Sequence, residues 1–215
     1  ALVFNSERLD EDLEILGAPE LLLEYAVDQP VAMVAVRLTD IDENDRATRV
    51  TYGVRNLTHD DGGHSNPSPI RPGERRRATI RLNDVAQRFP AGHRIRVAIS
   101  TSYWPLAWPA PRAARLTVFT AATRLVLPVR PPRAVDEGIG FEDPEAAVPH
   151  VVEQREPPVH EWHVIYDLAS ELHTLVVTDD AGLVYMHDAD LLHADAVEER
   201  YSSVAEEYGS IRAET

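Results

Sequence analysis

The chain contains no cysteine and no lysine, and its apolar runs are all short. Without cysteine there is no disulfide framework and no thiolate ligand set for zinc or an iron–sulfur cluster. Without lysine, all 21 basic residues are arginine, a bias that GC-rich bacterial genomes produce and that carries no functional demand. No apolar run approaches the roughly 20 residues a bilayer span requires, and ALVFNSERLDEDLEI at the start has no basic region followed by an apolar core. A membrane location is therefore not expected, and the reading is of a cytoplasmic protein. Positive charge is also in deficit. The 36 acidic residues give a net charge of -15, which repels a polyphosphate backbone and argues against nucleic acid as a partner.

What is present is ordinary globular composition, 44% hydrophobic and 27% charged, in 215 residues. A chain of that length buries roughly 70% of its unfolded surface and needs no covalent staple. The first residue is Ala and the opening residues 1–4 already read as a strand, so a piece cut from a longer chain is expected.

Period-two alternation dominates the first 130 residues. In RRRATIRL, Ala78, Ile80 and Leu82 share one face while Arg75, Arg77, Thr79 and Arg81 share the other. In HRIRVAIS, Ile95, Val97 and Ile99 point inward and Arg94, Arg96 and Ser100 outward. Runs at 31–38, 49–57, 115–119 and 124–129 behave alike, each bounded by turn-forming Asp, Asn, Gly or Pro clusters. Many short strands separated by turns predict an all-β sandwich over residues 1–130. Two segments read instead as helical turns: residues 18–23 and the start of NDVAQRF at Asn83.

Residues 131–160 are rich in proline and acid and lack periodicity, which predicts an extended linker. Strand-like runs resume at 161–168, 171–178 and 183–187, with DDAG at 179–182 as the hairpin turn. Val197, Tyr201, Val204 and Tyr208 match a helical face as well as a strand, and strands are the expectation. Residues 161–215 thus form a β-rich C-terminal extension, expected to pack on the sandwich. There is no internal repeat.

Nucleophilic catalysis needs a serine on a sharp turn such as G-x-S-x-G, with a histidine and a carboxylate to activate it. No serine here stands in such a setting, so no catalytic residue is assigned. For metals, DIDENDR at 40–46 opens like a calcium loop, but Asp45 holds the sixth position that requires glycine and Thr51 the twelfth that requires glutamate. An acidic hairpin tip is the expectation. HEWH at 160–163 lacks the i, i+4 spacing of a zinc helix, and HDADLLH at 187–193 has ligand types without fixed geometry. No metal and no cofactor are expected. Asn56-Leu57-Thr58 is a formal glycosylation acceptor inside a strand, and ERLDEDLE at 7–14 reads as a solvated turn and strand edge.

The remaining candidate is AGHRIRVAISTSYWPLAWPAP at 91–111, in which a strand runs into two Trp-Pro pairs four residues apart. Tyr103, Trp104 and Trp108 are the residue types that dominate protein interfaces and sugar platforms, and the prolines lower the ordering cost of a contact. Two readings stay open: the rings cap one end of the sandwich, or they face a partner.

In order along the chain, LVFNSERLDEDLEILGAP, VAVRLTDIDENDRATRVTYGVRNLTH, PIRPGERRRATIRLNDVAQRFPAGHRIRVAISTSYWPLAWPAP and RLVLPVRPP resemble the C-terminal domain of the X-Pro dipeptidyl-peptidase and cocaine esterase (CocE/NonD) hydrolases. The resemblance covers residues 2–132; after Pro158 the chain is similar to an extension found in one branch of that family. It implies a jelly-roll, galactose-binding-like β-sandwich without catalytic residues. It also implies a partner, an α/β-hydrolase domain of the parent chain that carries the serine triad and cleaves amide or ester bonds. On that reading Tyr103, Trp104 and Trp108 are contacts at the domain junction or substrate cleft. The rival from another class is a carbohydrate-binding module. Self-association through the uncovered face is compatible with the first reading.

Overall fold

The computed structural model describes residues 1–60, 63–131, 133–205 and 207–215, and divides into two compact units, Ala1–Ala134 and Val135–Thr215. Both are built of antiparallel strands. In the first unit these are β1 (Leu2–Asn5), β2 (Leu13–Gly17), β3 (Glu20–Val27), β4 (Met33–Ile41), β5 (Ala47–Asn56), β6 (Arg76–Arg81), β7 (Val85–Phe89), β8 (Arg94–Ser100), β9 (Leu116–Val118) and β10 (Arg124–Val126).

One sheet has the order β1-β8-β4-β5; a second has β10-β3-β6, with β9 pairing the far end of β3; β2 and β7 form a two-stranded ribbon. The inward positions of all three close one core: Leu21, Leu23, Tyr25 and Val27 from β3, Val34, Val36 and Leu38 from β4, Ile80 from β6, Ile95, Val97 and Ile99 from β8, and Ile15 and Phe89 from the ribbon. The result is an all-β sandwich. The alternation expected for β6 and β8 holds, with Ala78, Ile80, Ile95, Val97 and Ile99 buried.

The two sheets approach closely where Gly53 of β5 faces the end of β6. A Cβ there would stand 2.5 Å from the Arg81 carbonyl oxygen. That approach is tied by Asn83 N donating to Tyr52 O (2.9 Å) and by Thr51 Oγ1 donating to Asn83 O (2.9 Å). One buried acid is compensated at the second sheet: Glu24 pairs with Arg75 and, at 3.5 Å, with Arg77. The hydrogen bond from Arg75 holds the Glu24 carboxyl below its ordinary value.

The two expected helical turns are strands. Residues 18–23 lead into β3, where Leu21, Leu23 and Tyr25 alternate inward and both edges are taken, by β6 and by β10. A short apolar run such as ELLLEYAV has no periodicity that separates helix from strand, and ladder partners decide it. Asn83 and Asp84 lie in the short link between β6 and β7, and VAQRF is β7, which seats Phe89 in the core opposite Leu13 of β2.

The second unit is one sheet made of β11 (Val152–Glu156), β12 (Val159–Asp167), β13 (Leu172–Met186), β14 (Leu191–Val204) and β15 (Glu207–Glu214), in the order β11-β13-β14-β15, with β12 also on β13. The strand expectation for the end of the chain holds. DDAG, however, is no hairpin turn. Strand β13 runs through it with a register shift between Asp180 and Leu183, because Gly182 at φ 70 donates to Asp180 Oδ1 (2.7 Å) and lets the chain kink without reversing. A Cβ at Gly182 would lie 2.3 Å from the Glu156 carbonyl oxygen. Pro157 and Pro158, which cannot donate to a ladder, separate β11 from β12 opposite that kink. The reversals fall instead at 168–171, where Asp167 Oδ1 accepts from Ala169 N (2.8 Å), and at 187–190.

Candidate functional site

The Trp-Pro loop leaves β8 at Ser100, on the outer face of the first sheet. It closes on itself through Ala107 N donating to Tyr103 O (2.8 Å), and the Trp104–Pro105 bond is cis. Tyr103 folds back onto that sheet. Its ring meets Tyr52 of β5 edge to face at 5.2 Å, the Arg37 guanidinium of β4 lies 5.7 Å from its centroid, and Arg49 Nη1 donates to its hydroxyl at 2.8 Å. Register explains the meeting, since Arg37 lies directly opposite Tyr52 and so shares its face.

Beyond this anchor the loop projects. Trp104 and Trp108 pack edge to face (5.1 Å, 84°), Trp104 is half-buried, and Trp108 and Leu106 are 61% and 62% exposed. An open cleft of ≈ 680 Å³ runs beside the loop, lined by Leu2, Arg37, Ser100, Ser102, Tyr103 and Trp104 among others. The buried Arg37 Nε has no hydrogen-bond partner among the described residues. The three sequence candidates are thus brought together, in unequal roles. Tyr103 anchors the loop, Trp104 backs it, and Trp108 with Leu106 faces outward. Sequence reading missed Arg37, Arg49 and Tyr52, the supports of the anchor. The signal available was Arg37 itself, a charge placed within the apolar run MVAVRL.

The other candidates have local roles. Asp42 Oδ1 accepts from Asn44 N (2.9 Å) and Arg46 N (2.8 Å), making DIDENDR the tip of the β4–β5 hairpin. His160 and His163 stand an odd number of residues apart on β12 and point to opposite faces, one pairing with Asp179 (2.7 Å) and the other with Glu161 (3.0 Å). HDADLLH spans the β13–β14 turn, with His187 3.6 Å from Glu153. Among the described residues no group of three or more such side chains is arranged to hold a metal ion. The Asn56 side chain accepts from Thr58 N (3.1 Å) and Thr58 Oγ1 (2.8 Å), capping the 3-10 turn Leu57–His59. Asp12 in ERLDEDLE accepts from Ala91 N (2.8 Å) and pairs with Arg88, and these bonds hold its carboxyl below the ordinary value.

His93 Nδ1 lies 2.8 Å from Asp40 Oδ1, a base beside an orienting carboxylate, but no serine hydroxyl among the described residues bonds to a histidine. At the loop the geometry is that of exposed apolar side chains held beside an open cleft.

The family model of the X-Pro dipeptidyl-peptidase C-terminal non-catalytic domain matches residues 1–148. The chain belongs to that family. Among solved structures, the chain is similar to an α-amino acid ester hydrolase (22% identity, 60% of this chain and 25% of that one, TM-score 0.57). It is likewise similar to an aminopeptidase from a marine sediment Thaumarchaeota archaeon (20%, 60% and 26%, TM-score 0.57). A CocE/NonD family hydrolase from Staphylococcus aureus also matches (15%, 60% and 30%, TM-score 0.50). At these identities the likeness establishes the fold of the sandwich. The chain spans about a quarter of the length of the first two. A search of curated proteins finds no sequence match. Among the described residues no helix is long and apolar enough to cross a membrane.

Proposed function

We propose that this non-catalytic domain is a jelly-roll, galactose-binding-like sandwich that packs against an α/β-hydrolase domain of a longer chain and helps shape that domain's substrate site for amide or ester hydrolysis. Tyr103, Trp104 and Trp108 form the contact. The observation that supports it is the division of labour in the loop. Tyr103 fixes the loop on the sheet through three partners, so that Trp108 and Leu106 are held out at little further ordering cost.

Two experiments test this reading. The purified chain, free of any parent enzyme, should take no label from a serine-directed fluorophosphonate probe; a labelled serine or saturable turnover of an activated ester contradicts it. For a carbohydrate-binding module, Trp104 and Trp108 would need to present a shared flat platform, and they stand edge to face at 84°. Tryptophan fluorescence that shifts with oligosaccharides and is abolished by Trp108→Ala would favour that second reading. Where the loop face is uncovered, self-association is expected at high concentration, read by light scattering.

A further inference from the structure

The acidity of the chain is not shared between its units. Residues 135–215 hold 20 Asp and Glu against 3 Arg, a net -17, while residues 1–134 hold 16 against 18, a net +2. The strongly negative unit contains the single sheet β11–β15, and most of it lies beyond the family match at 1–148.

Register places a defined groove on one face of that sheet. His160, Asp179 and Val197 form one cross-strand row, and Trp162, Val177 and Glu199 form the next on the same face. Together they line an open groove of ≈ 390 Å³. Val177 and Val197 are its apolar floor, and the Trp162 ring, 74% exposed, is its wall. The carboxylates of Asp179 and Glu199 stand at its rim. Tyr201 donates to Glu199 Oε1 at 3.0 Å, which orients that carboxylate, and His160 Nδ1 lies 2.7 Å from Asp179 Oδ1. On the outer side, β12 pairs with β13 and no further strand among the described residues, so an extended backbone has an edge to lie along.

We propose that this groove is a docking site for a basic peptide segment, laid along β12 with an arginine or lysine side chain in the groove. An indole face, an apolar floor for the alkyl stem and two carboxylates are what such a side chain requires. A neutral ligand brings no positive charge to the two carboxylates, and an anionic one is repelled by them. A second copy of the same face brings one -17 unit against another, and repulsion opposes it. A basic segment is attracted at long range and held at short range. The site stands apart from the hydrolase-domain reading, which concerns the Trp-Pro loop.

The test is fluorescence anisotropy of a dye-labelled hexa-arginine peptide titrated with the full chain, with hexa-glutamate as control. Saturable, salt-sensitive binding of hexa-arginine is expected, weakened about tenfold or more by Trp162→Ala and by Glu199→Gln. It should be nearly unchanged by Glu142→Gln, which removes the same charge in the exposed stretch before β11. Both groove positions tolerate a check of folding by circular dichroism, and Trp162→Phe, which keeps a ring, should restore part of the affinity. Absence of hexa-arginine binding overturns the proposal. Equal weakening by all the charge variants also overturns it, since that is diffuse attraction without a site. So does a sedimenting dimer that Trp162→Ala dissolves, which would assign the face to a second copy.

Discussion

Tyr103 and Trp108 lie five residues apart in one loop and differ in what a truncation removes. Tyr103→Ala deletes an edge-to-face ring contact, a cation–π contact and a hydrogen bond, so a loss of about 1–3 kcal/mol in stability is expected. Trp108→Ala removes one ring contact to Trp104 and should cost about 1 kcal/mol or less. Urea denaturation of the two variants measures the difference, and similar losses would show that the outward ring is part of the core. Glu24 carries a pH signature. Its carboxyl is held below the ordinary value by Arg75, so the stabilisation it contributes is complete above the ordinary glutamate value of 4.5 and is lost as the pH falls below that toward the lowered native value. Thermal melts of Glu24→Gln should therefore lie below the parent at pH 7 and converge with it in acid; a gap that persists at low pH would point to packing and not charge.

The two-stranded ribbon β2–β7 reaches the core through only a few side chains. Phe89 is fully buried there, whereas Leu16 is 55% exposed on the partner strand. Phe89→Ala should cost about 3–5 kcal/mol, and Leu16→Ala should stay within about 0.5 kcal/mol, both read from denaturant midpoints. The sequence disclosed β6 and β8 because polar residues, most of them arginine, alternate with apolar ones, making the period of two plain. It hid β3, whose three consecutive leucines mask the alternation, and β7, whose lead-in from Asn83 reads as a turn of helix until β2 supplies its partner. At DDAG the local chemistry of a turn was correctly seen and its consequence was not. Gly182 and Asp180 kink the chain, but β14 pairs on both sides of the kink and keeps β13 a single strand. In the loop, ring type was legible and ring direction was not, because Tyr103 is oriented by Arg37, Tyr52 and Arg49, more than fifty residues earlier in sequence.

Across the whole molecule, a near-neutral sandwich that belongs to a known non-catalytic family is joined to a strongly acidic unit that holds the chain's excess charge. The sandwich offers an anchored aromatic loop beside an open cleft, and the match covers only about a quarter of the first two solved structures. On the proposed function, this member of a non-catalytic family acts through what the exposed rings of the loop meet. The most direct test is oxidative footprinting of Trp108 and Leu106 in this chain and in a longer hydrolase polypeptide that contains it. Both residues should oxidise readily here, where they are 61% and 62% exposed, and be protected there by the hydrolase domain. Equal oxidation in the two would mean that the loop faces solvent in the enzyme and would contradict the account.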